Sequence, residues 1–259
     1  MTVTSGTAVR VRVDGGVATI TLDRPPLNVL TTAMLDELDA AIRDVETITD
    51  LRLIVLRGAG RAFSAGVDVG EHIGEALDPM LDAFTRVCLR LLDCEVPTLA
   101  VVHGAALGGA CEIVASCDLA IAADDARLGT PEIGLGAIPP VAAALFAARV
   151  GEQRARALVL TGESIGGAEA AAWGLVWRCV GATRLDDEVA AVAVRFGALS
   201  AASLRVAKRA LRAASSAGSP AEAVVTADGV ARRALHELHD ASEGLDAFLT
   251  KRTPRWEHR

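Results

Sequence analysis

A chain of 259 residues, 51% hydrophobic and 23% charged, is long enough to bury a substantial core in one large domain or in a main domain with an appendage. Its formal charge of −7, from 33 acidic and 26 basic side chains, offers no general basic field and argues against nucleic acid or anionic lipid as a partner. Aromatic residues are only 3%, with no tyrosine, so packing must rest on Ala, Val, Leu and Ile.

Val9, Val11 and Val13 alternate with Arg10, Arg12 and Asp14, and after Gly15-Gly16 the run Val17 to Leu22 resumes the pattern, which predicts a β-hairpin. From about Thr32, apolar residues at 34, 35, 38, 41, 42 and 45 recur at helical spacing, and Leu51 to Leu56 is an apolar run of buried-strand type. The Gly-rich stretch 58–70 reads as a loop, and Asp78-Pro79 starts a helix reaching about Cys94. Thr98 to Val102 is a second buried strand, running into a Gly-rich segment at 104–109, a helix from about Ala110 to Ser116, and a strand from Leu119 to Ala123. Past Pro139-Pro140 the chain turns to alanine-rich helices, with Trp173-Gly174 as a helix end and a short strand at Val176 to Val180. From about Leu185 it reads as helix throughout. The expectation is an α/β core over 1–195 and an all-helical section over 196–259, too small and too apolar to stand alone.

Cys88, Cys94, Cys111, Cys117 and Cys179 are odd in number, lie in apolar runs and form no CxxC pattern, which points to reduced thiols rather than disulfides or zinc. His103, His236 and His239 form no metal set and HExxH is absent, so no metal is expected. The first residues lack an apolar stretch of signal-peptide length, and no apolar run reaches the roughly 18 residues of a membrane span. A cytoplasmic protein with no membrane partner is expected. The positive mean hydropathy suggests that other subunits cover part of the apolar surface.

Two Gly-rich segments, Arg61 to Asp68 and His103 to Glu112, each end a strand and lead toward a helix. Such turns leave backbone N–H groups free for a phosphate or an oxyanion. Neither matches GxGxxG or GxxxxGK[ST], so a dinucleotide or P-loop site is not expected. Glu112 sits in an otherwise apolar run and Glu132 in Gly-Thr-Pro-Glu-Ile-Gly; a buried carboxylate is costly unless paired, so each is either neutralised by an arginine, used as a helix cap, or functional. Asp118 and Asp124 are placed to satisfy backbone groups at strand ends.

Seven segments together resemble the enoyl-CoA hydratase/isomerase, or crotonase, family, in family order and over nearly the whole chain. They are Leu22-Asp-Arg-Pro-Pro-Leu-Asn28, Arg61-Ala-Phe-Ser-Ala-Gly-Val-Asp68, Val102-His-Gly-Ala-Ala-Leu-Gly-Gly-Ala-Cys-Glu112, Pro131-Glu-Ile-Gly-Leu-Gly136, Leu160-Thr-Gly162, Ala171-Ala-Trp-Gly-Leu-Val176 and Phe248-Leu-Thr-Lys-Arg252. The resemblance implies a spiral of ββα units followed by an all-helical oligomerisation section, assembled as a homotrimer or a dimer of trimers.

It also implies an acyl-CoA substrate whose thioester oxygen lies between the N–H groups of Val67 and Gly109. Glu112 then corresponds to the water-activating carboxylate and Glu132 to the donor of the Cα proton. The CoA moiety would be bound by the loop containing Ala62, Ala65, Gly66 and Asp68, and by Arg24, Lys251 and Arg252, the last two within reach of a neighbouring subunit. No cofactor beyond the CoA of the substrate is implied. Hydration of an enoyl-CoA is the leading expectation. The alternatives are double-bond isomerisation, or hydration specialised for cyclic dienoyl-CoA thioesters. A scaffold or RNA-binding member would need a basic groove with stacking aromatics, which this sequence lacks. One departure stands out: where family hydratases read Pro-Gly-x-Gly-Gly, this chain reads Pro139-Pro-Val-Ala-Ala143, and Pro140 has no N–H to lend to a catalytic water.

Overall fold

The computed structural model describes residues 2–5 and 7–259, with the backbone alone for 2–5. The expected hairpin is formed by β2 (Val9–Asp14) and β3 (Val17–Leu22), antiparallel with Val9 opposite Leu22, and β1 (Thr2–Ser5) adds antiparallel to β2. From β3 outward the sheet is parallel: β4 (Leu53–Gly58), β5 (Thr98–Val102), β7 (Leu119–Ala123) and β10 (Arg178–Val180) complete seven strands in the order β1-β2-β3-β4-β5-β7-β10.

The apolar runs of β4, β5 and β7 are continuous because both faces of this sheet are covered. Ile54, Leu56, Ala100, Val102, Ala120 and Ala122 point into the main core, which they share with α1 (Thr32–Glu46), α2 (Leu77–Asp93) and α3 (Gly109–Ser116). The intervening Leu53, Val55, Leu99, Val101, Ile121 and Ala123 pack on the other face against Leu185 and Val192 of α7 (Leu185–Gly197). Position 195–196, the division read from the sequence, falls inside this helix.

A second, three-stranded sheet joins β6 (Ala105–Leu107) parallel to β8 (Arg127–Gly129), and β8 antiparallel to β9 (Ser164–Gly166). Each turn of the chain lays one strand in the large sheet, one in the small sheet, and then a helix. This gives β5-β6-α3, then β7-β8 and α4 (Pro140–Val150), and it is the expected spiral. Upstream, Ser64 bridges Ala106 after β4 and so takes the place of a small-sheet strand in the first turn. Three-residue strands are too short to show alternation, so the sequence reading took β6 as loop and passed over β8 and β9. Val176 is likewise outside β10: after the left-handed Gly174 its N–H turns back to the Ala170 carbonyl.

Beyond α4 come α5 (Glu152–Thr161), α6 (Gly167–Trp173) and, after α7, the helices α8 (Ala201–Ser215), α9 (Pro220–Glu237) and α10 (His239–Leu249). Buried ionic contacts pin this last group to the core. Lys208 donates to Asp118 at 2.6 Å and to the Val96 carbonyl, while Asp118 accepts from the Thr98 N–H and hydroxyl. Asp124 accepts from the Ala182 N–H, so both aspartates serve backbone groups as expected. Among the described residues no single helix is long and apolar enough to cross a membrane.

Candidate active site

Segment 24–30 is the mould in which the first Gly-rich loop is cast. Asn28, buried and left-handed at φ 53°, donates through Nδ2 to the carbonyls of Ala59 (2.8 Å), Ala62 (2.9 Å) and Phe63 (3.2 Å), while its Oδ1 accepts from the Arg24 N–H. Ala65 N–H donates to the Leu27 carbonyl, Leu30 N–H to Gly66, and Asp68 N–H to Leu30, each at 2.9 Å. Leu30 thus bridges Val67 as in a parallel ladder by bonding its two neighbours, which turns the N–H of Val67 itself away from segment 24–30.

The Val67 side chain lies against the start of α3. Gly108 adopts φ 57°, ψ −135°, a conformation available to glycine alone, and opens the helix. Gly109, its first residue, lies so close to Val67 that a Cβ there would stand 2.7 Å from Val67 Cγ2 and 2.9 Å from Phe84 Cε2. As the first residue of α3, Gly109 has no carbonyl within the helix for its N–H. The start of α3, like any helix N-terminus, carries partial positive charge.

Both glutamates lie beside it. Glu112 occupies the first turn of α3 at 2% exposure, and its Oε1 accepts from the Ala142 N–H at 2.7 Å. Burial pushes its carboxyl up to about 7, aided by the charge of Glu132 and opposed by the N–H groups of Ala142 and Val141. Glu132 lies in the 3₁₀ turn Pro131–Leu135, with its carboxyl against Gly108: a Cβ on that glycine would meet Glu132 Oε1 at 2.6 Å. Burial raises its pKa as well, while its own N–H and the charge of His72 act in the opposite direction. Its Oε2 is enclosed and has no hydrogen-bond partner. Among the described residues neither glutamate is paired with an arginine.

The departure at Pro140 takes a definite form here. Pro140 is the first residue of α4, and the next N–H groups, those of Val141 and Ala142, serve the Glu112 carboxylate. At the far end of the same helix Arg149 donates to the carbonyls of Ala115 and Cys117, so α4 grips α3 at both ends.

The remaining expected residues are scattered. Arg24 is exposed and donates to the Val29 carbonyl. Asp68 caps the 3₁₀ turn Val69–His72 through the Gly70 N–H. Lys251 is exposed in a left-handed conformation just past α10. Arg252 is held by Glu243 (2.6 and 2.8 Å) and Asp246 (2.6 Å) of α10, so a CoA phosphate would compete with two carboxylates for it. The sequence reading gave no role to Asn28, although Asn is a residue type that tolerates a left-handed turn and bonds nearby backbone through its side chain. It also missed the Ala142 N–H, which no local pattern marks.

With this fold and this pair of enclosed carboxylates, the chain belongs to the enoyl-CoA hydratase/isomerase family, whose profile matches residues 12–259. It is 37% identical over 255 residues to a probable enoyl-CoA hydratase of Mycobacterium tuberculosis, covering 95% of this chain and 96% of that protein. It is 36% identical over 251 residues to a cyclohexa-1,5-dienecarbonyl-CoA hydratase of Thauera aromatica, covering 95% of each. Among solved structures, an enoyl-CoA hydratase subunit of Geobacillus kaustophilus superposes with a TM-score of 0.90 at 32% identity, covering 98% and 99% of the two chains.

Proposed function

We propose that this protein is a hydro-lyase that adds water across the α,β double bond of an enoyl-CoA thioester. The observation that carries this reading is the pair Glu112 and Glu132: Glu112 is buried, Glu132 is half-buried with an enclosed and unpartnered Oε2, the charge of Glu132 acts on Glu112, neither is paired with an arginine among the described residues, and both lie near the start of α3. The thioester oxygen lies between the Val67 and Gly109 N–H groups, which stabilise the enolate as it forms. Glu112, fixed by Ala142, takes a proton from the water that attacks Cβ, and Glu132 delivers one to Cα. An isomerase needs only one of these acids, so the presence of both favours hydration.

Ala62, Ala65, Gly66 and Asp68 contact the CoA moiety, with Arg24, Lys251 and Arg252 toward its phosphates and no further cofactor. The protein works in the cytoplasm as a homotrimer or a dimer of trimers. Residues 196–259 supply the contacts, a reading supported by the exposed Val224, Val225, Leu245, Phe248 and Leu249 on α9 and α10. Two observations favour a cyclic or extended substrate over a short linear one: Pro140 withholds an N–H from the water, and the Thauera relative is named for a cyclic dienoyl-CoA.

The test is a panel of linear and cyclic enoyl-CoA thioesters, followed by loss of thioester conjugation and by product mass. Gain of one water with a cyclic substrate preferred to crotonyl-CoA is expected, and Pro140→Gly should raise the crotonyl-CoA rate. Conversion without change of mass would replace the hydratase reading by the isomerase.

A further inference from the structure

The helices α3 and α4 cap each other. Glu112, in the first turn of α3, accepts the Ala142 N–H at the start of α4 through Oε1 at 2.7 Å. Seven residues further along α4, about 10 Å at the rise of a helix, Arg149 returns the contact. Its Nη2 donates to the carbonyls of Ala115 (2.8 Å) and Cys117 (2.9 Å), in the last turn of α3 and at its C-cap. Carbonyls there have no partner inside their own helix, and a cation suits the negative end of the helix dipole. Ala142, Phe146 and Val150 are buried at i, i+4 and i+8 along one face of α4, and Arg149, three residues past Phe146, belongs to the same face. All eight residues of α3 are buried, so a slide or roll of α4 against it shifts both caps together.

We propose that Arg149 is a positioning residue for Glu112: by holding the end of α3 it keeps α4 in the register that places the Ala142 N–H on the carboxylate. This deepens the hydratase reading above and rests on it. The base must be ionised to take a proton from water, and a donor on the carboxylate favours that form. Without Arg149, α4 keeps only its apolar face and the Ala142 bond itself to fix it against α3, and apolar contact has no direction of its own. The Ala142 N–H then drifts from Oε1, and the carboxyl holds its proton to higher pH. The other titratable groups that interact with Glu112 among the described residues are Glu132, on the turn after β8, and the thiols of Cys88 on α2 and Cys111 on α3. Burial pushes Cys88 up to about 12 and Cys111 upward as well, so both thiols stay neutral where Glu112 titrates.

The experiment measures kcat/KM against pH for Arg149→Met, which keeps the apolar stem and loses the donors, and for Arg149→Lys. Both bonds come from a single nitrogen, so a lysine ammonium can replace them. Folding is checked by far-UV circular dichroism and melting temperature. Asp240→Ala is the control: its bonds lie within residues 200–259, so it loses stability without touching α3 or α4. Arg149→Met should move the rising limb upward by about 0.5–1 pH unit, with kcat/KM down about two- to fivefold at pH 7 and within about twofold of wild type at pH 9. Arg149→Lys should bring the limb back to within about 0.3 unit, and Asp240→Ala should leave it in place. If Arg149→Met does not fold, Arg149→Gln, which offers one amide group to the same carbonyls, is read in its place. A wild-type limb in the folded variant, or a lysine variant that shifts as far, makes Arg149 a structural residue only. Glu112→Gln, run in parallel, keeps the two readings apart: if it retains hydration, the assignment of Glu112 as base fails first, whatever Arg149 does.

Discussion

Asp240 in the C-terminal helices and Glu112 in the core are equally hidden, at 1% and 2% exposure, and they are treated in opposite ways. Asp240 accepts from the Ser200 hydroxyl (2.5 Å) and from the N–H groups of Glu257 (2.8 Å) and His258 (2.9 Å). Burial alone would raise its pKa, but these bonds outweigh burial and hold it below the usual value. Glu112 has the N–H groups at the start of α4 and a second carboxyl as neighbour, and there burial wins. A buried charge that is fully bonded serves architecture; one left underbonded is poised to move a proton. The same division separates Lys208 and Asp118, which close on each other, from Glu132, whose Oε2 closes on nothing.

The largest expected effect is on turnover. Glu112→Gln and Glu132→Gln should each lower kcat on the best enoyl-CoA by about 10²–10⁴, with no loss of melting temperature; a fall below tenfold for both would end the contrast between working and structural carboxylates. Next is Asp240→Ala, which strands two backbone donors and a hydroxyl and should cost about 4 kcal/mol in denaturant unfolding, while leaving KM for the thioester unchanged.

The pH dependence follows with opposite signs. Because the Glu112 pKa is raised from 4.5 to about 7, the folded protein holds a proton that the unfolded chain releases. Its contribution to stability is therefore complete below pH 4.5 and is lost as pH rises to about 7, by up to roughly 3 kcal/mol. Glu112→Gln should be the more stable protein at pH 8, and the difference should vanish near pH 4. Asp240, held below 3.8, contributes stability that is present above that pH and is lost as pH falls through its folded value. In kcat/KM, ionisation of Glu112 as the base should appear as a limb rising through about 7 and absent from Glu112→Gln. The smallest effect is at the surface: Arg156→Ala removes an exposed pair with Glu152 one helical turn away and should change stability by less than about 1 kcal/mol.

The hairpin, the three continuous apolar strands and both glutamates are legible in the sequence because each rests on a local signal: alternation, an uninterrupted apolar run, or an acid inside one. β6, β8 and β9 are not, since three residues carry no period and their pairing comes from the spiral as a whole. What surrounds the glutamates is equally hidden. Pro140 reads as the loss of a donor, but only the fold shows that the next two N–H groups are spent on a side chain 30 positions away. Arg252 reads as a free cation for phosphate and is found between two carboxylates of its own chain.

The mould formed by residues 24–30 also sets a pattern of solvent exchange. The amide protons of Ala65 and Asp68 are locked into bonds with Leu27 and Leu30, so they should be replaced by deuterium slowly. The amide of Val67 lies between them and faces the other way. It should exchange orders of magnitude faster in the free protein, and slow sharply when an acyl-CoA analogue occupies the site. One residue would then serve as a built-in reporter of occupancy, flanked by two internal references that do not respond.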